Sequence, residues 1–309
     1  MKRFLYLVLT GFLTVNCGYK YPLPPENPGS LPGEEDYIPV KNTAWDFASF
    51  NGVVDILMGK DGYIYILERG VLLRYNVNGV LVDTVYSQFM SARTLTQDIS
   101  RKIYVGDGSK VHVLSRDREY LYCIDFGDTV NISGIDVSSS KEIYISDSLR
   151  SVVIKVDSLG NYLETFAFEG SGILNVKNPM GLFVDEKHGR VIVASMGNNW
   201  VEGLSISSPR ISLLHLGGIS HQGGDTAGVF LYPVDVWCDT SGYVYVLDRG
   251  NSRIQKFNYE GQFLHLESFE ESPVSIATTK DGLYLYVAFA DRVLKMKKPE
   301  LPQNPGGGK

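Results

Sequence analysis

Apolar and polar positions alternate most regularly between Phe230 and Leu264, FLYPVDVWCDTSGYVYVLDRGNSRIQKFNYEGQFL. Pro233–Cys238 is a short apolar run, and Asp239-Thr240-Ser241-Gly242 is a polar stretch ending in glycine, the signature of a tight turn. Tyr243–Leu247 is aromatic and β-branched throughout, which suits a strand packed on both faces. Asp248–Asn251 turns the chain again, Arg253–Phe257 alternates about Ile254, and Glu260-Gly261 leads into Gln262-Phe263-Leu264. Four antiparallel strands in about forty residues form one blade of a β-propeller.

The second-strand tyrosine of this unit serves as a ruler. Its equivalents are Tyr65, Tyr104, Tyr144, Ile192, Tyr245 and Tyr286, at intervals of 39, 40, 48, 53 and 41 residues. Three residues after each marker stand Glu68, Asp107, Asp147, Ser195, Asp248 and Phe289. Because the acid recurs, it reads as structural, its carboxylate accepting hydrogen bonds from turn amides. The last unit has three strands only, Val274–Thr279, Leu283–Phe289 and Arg292–Lys297. An open sheet edge there needs covering, and the alternating segment Thr43–Phe50 is expected to supply the missing outer strand. The expected fold is therefore all-β: a six-bladed β-propeller of four-stranded antiparallel blades, its ring closed by an N-terminal strand, over residues 41–298.

The run Pro233…Gly242-Tyr243-Val244-Tyr245-Val246…Asp248-Arg249-Gly250-Asn251…Arg253-Ile254-Gln255-Lys256-Phe257…Gly261 resembles an NHL repeat over the full length of the unit. The Gly-rich stretch Gly217–Phe230 resembles the linker that precedes a blade in such proteins. It carries no phosphate-loop signature, since no Gly-Lys-Ser/Thr follows it.

The flanks change the picture of where the ring resides. Residues 1–16 carry two positive charges and then an apolar run from Phe4 to Val15, too short to span a bilayer and shaped like a signal peptide. Leu13-Thr14-Val15-Asn16-Cys17 resembles a bacterial lipobox, departing from it at Asn16 and Thr14. That resemblance implies lipidation of Cys17; ordinary secretion is the alternative. Residues 17–40 are Pro-rich and without periodicity, an extended tether, and 299–309 read as a disordered tail. The expected location is the bacterial cell envelope, extracytoplasmic and attached to a membrane.

Formal net charge is −6 with no basic stripe, so nucleic acid is not an expected partner. Cys123 and Cys238 fall on non-adjacent strands and are expected as two buried free thiols; zinc spacing is absent.

Candidate chemistry lies on one face of the ring, in the loops before the inner strands and between strands two and three, and in the channel. The inner-strand column reads Asp55, Thr94, Gly134, Gly181, Asp235 and Ile276. Asp55 and Asp235 put two carboxylates near the channel mouth, there to hold a cation or basic ligand, or to satisfy inner-strand amides. On the loop face, Asn198, Asn199 and Trp200 sit in an irregular stretch beside Met196 and Arg210. Trp200 either contacts a sugar or peptide or belongs to the core. His221 and Asp225 lie on the Gly-rich loop, more in keeping with a surface pair than with a ligand pair. Propeller amidating lyases gather His for a metal and lactonases gather Asp, Asn and Glu; neither set matches here residue by residue. No resident cofactor is expected, a channel-bound divalent cation being the alternative. The function expected is a monomeric binding or scaffold module for a protein, peptide or glycan, with a metal-dependent lyase or lactonase as the rival. Replacing Cys17 by Ser should release the protein from the membrane fraction on cell fractionation; unchanged sedimentation with membranes would sink the lipid reading.

Overall fold

The computed structural model describes residues 37–218 and 221–299. Cys17, the signal segment, the Pro-rich span up to Asp36 and the tail from Glu300 lie outside them. Six sheets follow one another along the chain, antiparallel but for a two-residue parallel strand, Asn175–Val176, added to the third. Blade one is Val53–Met58, Ile64–Glu68, Val71–Tyr75 and Leu81–Tyr86. Blade two begins with Ala92–Gln97, blade three with Ile132–Val137, blade four with Pro179–Asp185 and blade five with Pro233–Cys238. Blade six is Ser275–Thr278, Tyr284–Ala288 and Val293–Lys297. Helical structure among the described residues is confined to four short 3-10 turns.

Each blade presents both faces to a neighbour, so its second strand is buried on both sides. That is why those strands read as apolar runs rather than as alternating ones. Tyr65, Tyr104, Tyr144, Tyr245 and Tyr286 are all at most 1% exposed. Three of the hydroxyls end in polar partners at their own strand one–two hairpin: Tyr65 donates to Asp61 at 2.6 Å, Tyr104 to Asp98 at 3.3 Å and Tyr245 to Asp239 at 3.1 Å, while Tyr286 donates to Val77 of blade one. Tyr144 breaks the rule; its buried hydroxyl has no partner among the described residues.

The recurrent acid does what its recurrence suggests. Met90 N–H donates to Asp107 at 2.9 Å, Asn131 N–H to Asp147 at 3.0 Å and Leu231 N–H to Asp248 at 2.7 Å. Asn51 N–H donates likewise to Glu68, and in blade four Ser195 Oγ receives Lys177 N–H at 2.9 Å. In each case the side chain after strand two pins the loop that enters strand one of the same blade. Asp248 also accepts from Asn251 Nδ2, Arg253 Nε and Gln255 Nε2.

Ring closure differs from expectation. The outer strand of blade six is Ile38–Pro39, paired antiparallel with Met296 and Lys297, within the span expected as tether. Residues 43–50 do not form a strand; Ala44–Asp46 is a 3-10 turn. Its Trp45 is 2% exposed and wedged between blades one and six, packing on Tyr75 and Tyr286 at centroid distances of 5.2 and 6.1 Å. The Val77 carbonyl collects Trp45 Nε1 at 3.2 Å, Tyr286 hydroxyl at 3.2 Å and Lys295 Nζ at 2.8 Å, tying the first blade to the last. Gly79 makes room for this wedge: its φ is +87°, and a Cβ there would sit 2.4 Å from the Trp45 amide nitrogen. The alternation in Thr43–Phe50 thus reflected a plug with one large apolar side chain, which mimics strand periodicity over so short a stretch. Cys238 is buried as expected, but Cys123 is exposed, because it lies on the outermost strand of blade two.

Trp45→Ala should lower stability by about 3–5 kcal/mol in urea titration, through the cavity it leaves and the lost hydrogen bond to the Val77 carbonyl. A loss under about 1 kcal/mol would mean that the wedge does not hold the ring.

Candidate functional site

Six inner strands bring their free edges to one axis, and such edges carry unpaired amides. In blades one to five the pairing of inner strand with second strand slips by a bulge, at Val53/Asp55, Ala92/Thr94, Ile132/Gly134, Pro179/Leu182 and Pro233/Asp235. A bulge re-aims the side chain that follows it, and here it turns Asp55 and Asp235 towards the next blade. Asp55 accepts Ile56 N–H at 2.9 Å and, across the blade junction, Leu95 N–H at 2.8 Å. Asp235 accepts Val236 N–H at 2.9 Å and Ile276 N–H of blade six at 3.2 Å.

A third carboxylate repeats the device two residues further along its strand. Asp136 accepts Val137 N–H at 2.8 Å, Val184 N–H of blade four at 2.8 Å and Thr96 Oγ1 of blade two at 2.7 Å. Asp55, Asp136 and Asp235 therefore stand on alternate blades, each fastening its own inner strand to the next. Gly181 completes the junction of blades four and five by absence of a side chain, since a Cβ there would lie 2.5 Å from Asp235 Oδ1.

Asp55 and Asp235 meet through Ser275, not through the Ile276 that occupies the column in sequence. Ser275 Oγ lies 2.6 Å from Asp55 Oδ1 and 3.0 Å from Asp235 Oδ2, and receives Ile56 N–H at 3.3 Å. One hydroxyl proton cannot serve both carboxylates. The three oxygens are satisfied together when one carboxyl keeps its proton: it donates to Ser275 Oγ, which donates onward. The electrostatics agree. Burial, with the neighbouring Asp235 charge, pushes Asp55 up from 3.8 to about 7, and burial pushes Asp235 up to about 6. Asp136 is raised too, by burial, with the Lys60 charge opposing.

Asp55, Thr94, Gly181 and Asp235 divide the channel into two cavities that both touch them. A cavity of about 290 Å³ opens at the loop face, where Arg93, Arg249 and Met180 line it. A larger one of about 430 Å³ opens at the opposite face, among the strand one–two hairpins. The sequence pointed to the first face only.

The other candidates are dispersed. Asn198 is buried with its Nδ2 on the Gly170 carbonyl at 3.0 Å. Asn199 holds the Gly-rich loop, bonding the His221 carbonyl at 3.0 Å and Tyr232 N–H at 2.9 Å. Trp200 is 2% exposed, packed against His215 and His221 at centroid distances of 5.1 and 4.5 Å, so it is a core residue and offers nothing to solvent. Asp225 is exposed and bonds Arg253 through its backbone carbonyl. Among the described residues no bond joins it to His221. Nor do three His, Cys, Asp or Glu side chains gather there as a metal set. Asp136 and Ser275 were missed in sequence; the signal for Asp136 is an aspartate on the inner strand of every other blade.

These features define a six-bladed β-propeller with a divided axial channel. Over 198 residues the chain is 32% identical to NHL repeat-containing protein 3 of Mus musculus, covering 58% of this chain and 55% of that one. It is 29% identical to the Homo sapiens protein of the same name over 234 residues, 74% of this chain and 59% of that one. The chain thus spans a little over half the length of these curated relatives. No family model matches. A gluconolactonase from Xanthomonas campestris superposes with a TM-score of 0.65 at 11% identity, covering 86% of this chain and 98% of that one. A chain of a nidogen/laminin complex gives 0.61 at 17% identity, covering 74% and 86%. At these identities the likeness shows the fold alone. The likeness to these relatives and the six-bladed ring support an NHL-repeat β-propeller.

Raised carboxyl pKa values mean that the folded form holds protons which the unfolded chain releases above about pH 4. The stability this pair contributes is present below pH 4 and lost as pH rises through 6 to 7. The Asp55→Asn/Asp235→Asn double variant should show a flatter decline than the wild type between pH 4 and 7 in denaturant titrations. Parallel declines would remove the shared proton from the account.

Proposed function

We propose that the protein is an extracytoplasmic binding module, held at a membrane through Cys17, that docks a protein partner on the face bearing the strand two–three loops. The observation that carries this reading is what that face exposes. Met90 is 90%, Leu149 63% and Tyr232 54% exposed, and all three lie on loops at that end. Arg93 and Arg249 stand among them at the channel mouth, exposed and without an ion pair among the described residues. Isolated large apolar groups beside unpaired guanidinium groups fit the aromatic, Met and Arg chemistry of protein interfaces. A partner with acidic and apolar side chains matches them. The loops are held by the acid-to-amide bonds at strand two, so docking costs little ordering. An NHL-repeat propeller is consistent with such a module. A glycan would find Tyr232 as its one exposed aromatic of this set.

The lyase or lactonase reading is not favoured. The three channel carboxylates are each committed to strand-edge amides, and the likeness to a gluconolactonase extends to the fold only.

A photo-crosslinking residue at Leu149 in intact cells should give a discrete adduct. Arg93→Glu with Arg249→Glu should abolish it, and Lys60→Glu on the opposite face should leave it. No adduct, or one indifferent to the arginines, would overturn the assignment.

A further inference from the structure

The wider cavity faces away from the loop surface, and its chemistry is of another kind. We propose that it binds a flat apolar molecule carrying one anionic group, the body inward and the anion at the rim. This site is independent of the partner-docking face.

The walls set the body. Phe183 and Trp237 are both half-buried in the cavity, with centroids 5.3 Å apart and planes at 57°. Trp237 springs from blade five yet packs against the apolar clusters of blades five and six and of blades one and two. Its indole therefore reaches across the axis and presents an aromatic surface with channel on one side. Ile135 and Leu182 continue the apolar wall. A volume of about 430 Å³ lies in the range used by small-molecule sites. On the same wall Thr278 is 1% exposed, and its hydroxyl has no partner among the described residues. A buried hydroxyl left unpaired is costly, and a ligand acceptor would supply what it lacks.

The rim sets the charge. Lys60, Lys187 and Lys280 come from blades one, four and six and are all exposed. Among the described residues none is in an ion pair. Lys60 and Lys187 rest their ammonium groups on the carbonyls of Gln97 and Thr240, contacts that leave the charge uncancelled. Of the rim acids, Glu186 receives Ser139 N–H at 2.9 Å and its hydroxyl at 2.8 Å, and Asp239 receives the Tyr245 hydroxyl at 3.1 Å, so three lysines face two acids that already have donors. At the inner end stand Asp55, Asp136 and Asp235, where an anion meets carboxyls rather than cations. That gradient gives the ligand one orientation.

Naphthoate is the probe, with its methyl ester as the uncharged counterpart. Naphthoate should quench tryptophan fluorescence saturably, and Trp237→Phe should remove the signal, since Trp45 and Trp200 are each 2% exposed. The triple variant Lys60→Gln, Lys187→Gln, Lys280→Gln should weaken naphthoate at least about tenfold by calorimetry. The ester should be unaffected by the same change. All three lysines lie on the surface, so an unchanged melting temperature confirms that the variant is folded. Three outcomes would each overturn the proposal: no saturable binding at millimolar naphthoate, wild-type affinity in the triple variant, or equal weakening of acid and ester.

Discussion

Six strand edges converge on one axis, and their amides need acceptors that no further strand can provide. Everything else in the ring depends on how this is met. Carboxylates on alternate blades each accept an amide from their own strand and one from the next, so a single side chain both satisfies an edge and fixes a junction. The remaining junctions use Thr96, Ser275 and the bare Cα of Gly181. An ionised carboxylate is a strong acceptor but costly to bury. The compromise is visible where Asp55 and Asp235 share Ser275: two acids this close, out of water, keep one proton between them. The axis is thus held by hydrogen bonds whose strength depends on protonation.

The same residues make the channel two rooms instead of a pore. The room beneath the loop face is small and bordered by arginines. The one beneath the hairpins is larger, apolar, and rimmed by lysines. Both rims are basic on a chain of net charge −6, so the basic character is local to the ends of the axis. An acidic protein with basic mouths keeps its sides repellent and its ends attractive to anions.

Much of this was legible in the sequence, for a physical reason. Strand two must be apolar on both faces, so Tyr65, Tyr104, Tyr144, Tyr245 and Tyr286, with an acid three residues after the first four, mark five blades from spacing alone. Asp55 and Asp235 were legible because the column passes through them. Asp136 was not, since it stands two residues past the column position, opposite Tyr144. Ser275 was hidden because a serine carries no repeat signal. Trp200 was left open between surface and core because its sequence neighbours are polar, and the His215 and His221 rings that bury it come from the next strand and the Gly-rich loop. Closure was read correctly in kind and wrongly in place. Two residues, Ile38 and Pro39, are too short a strand to leave a periodic trace.

That short clasp has a mechanical side. The strand that shuts the ring is also where the upstream chain enters it, so tension on that chain acts on buried Tyr37, whose hydroxyl donates to the Gly282 carbonyl at 2.7 Å, and then on the pairing of Ile38 and Pro39 with Lys297 and Met296. Behind the clasp sits Trp45, whose indole N–H holds the Val77 carbonyl at 3.2 Å. The ring is latched in series, by the clasp outside and the wedge within, so a pull from outside meets the clasp before it reaches the disc.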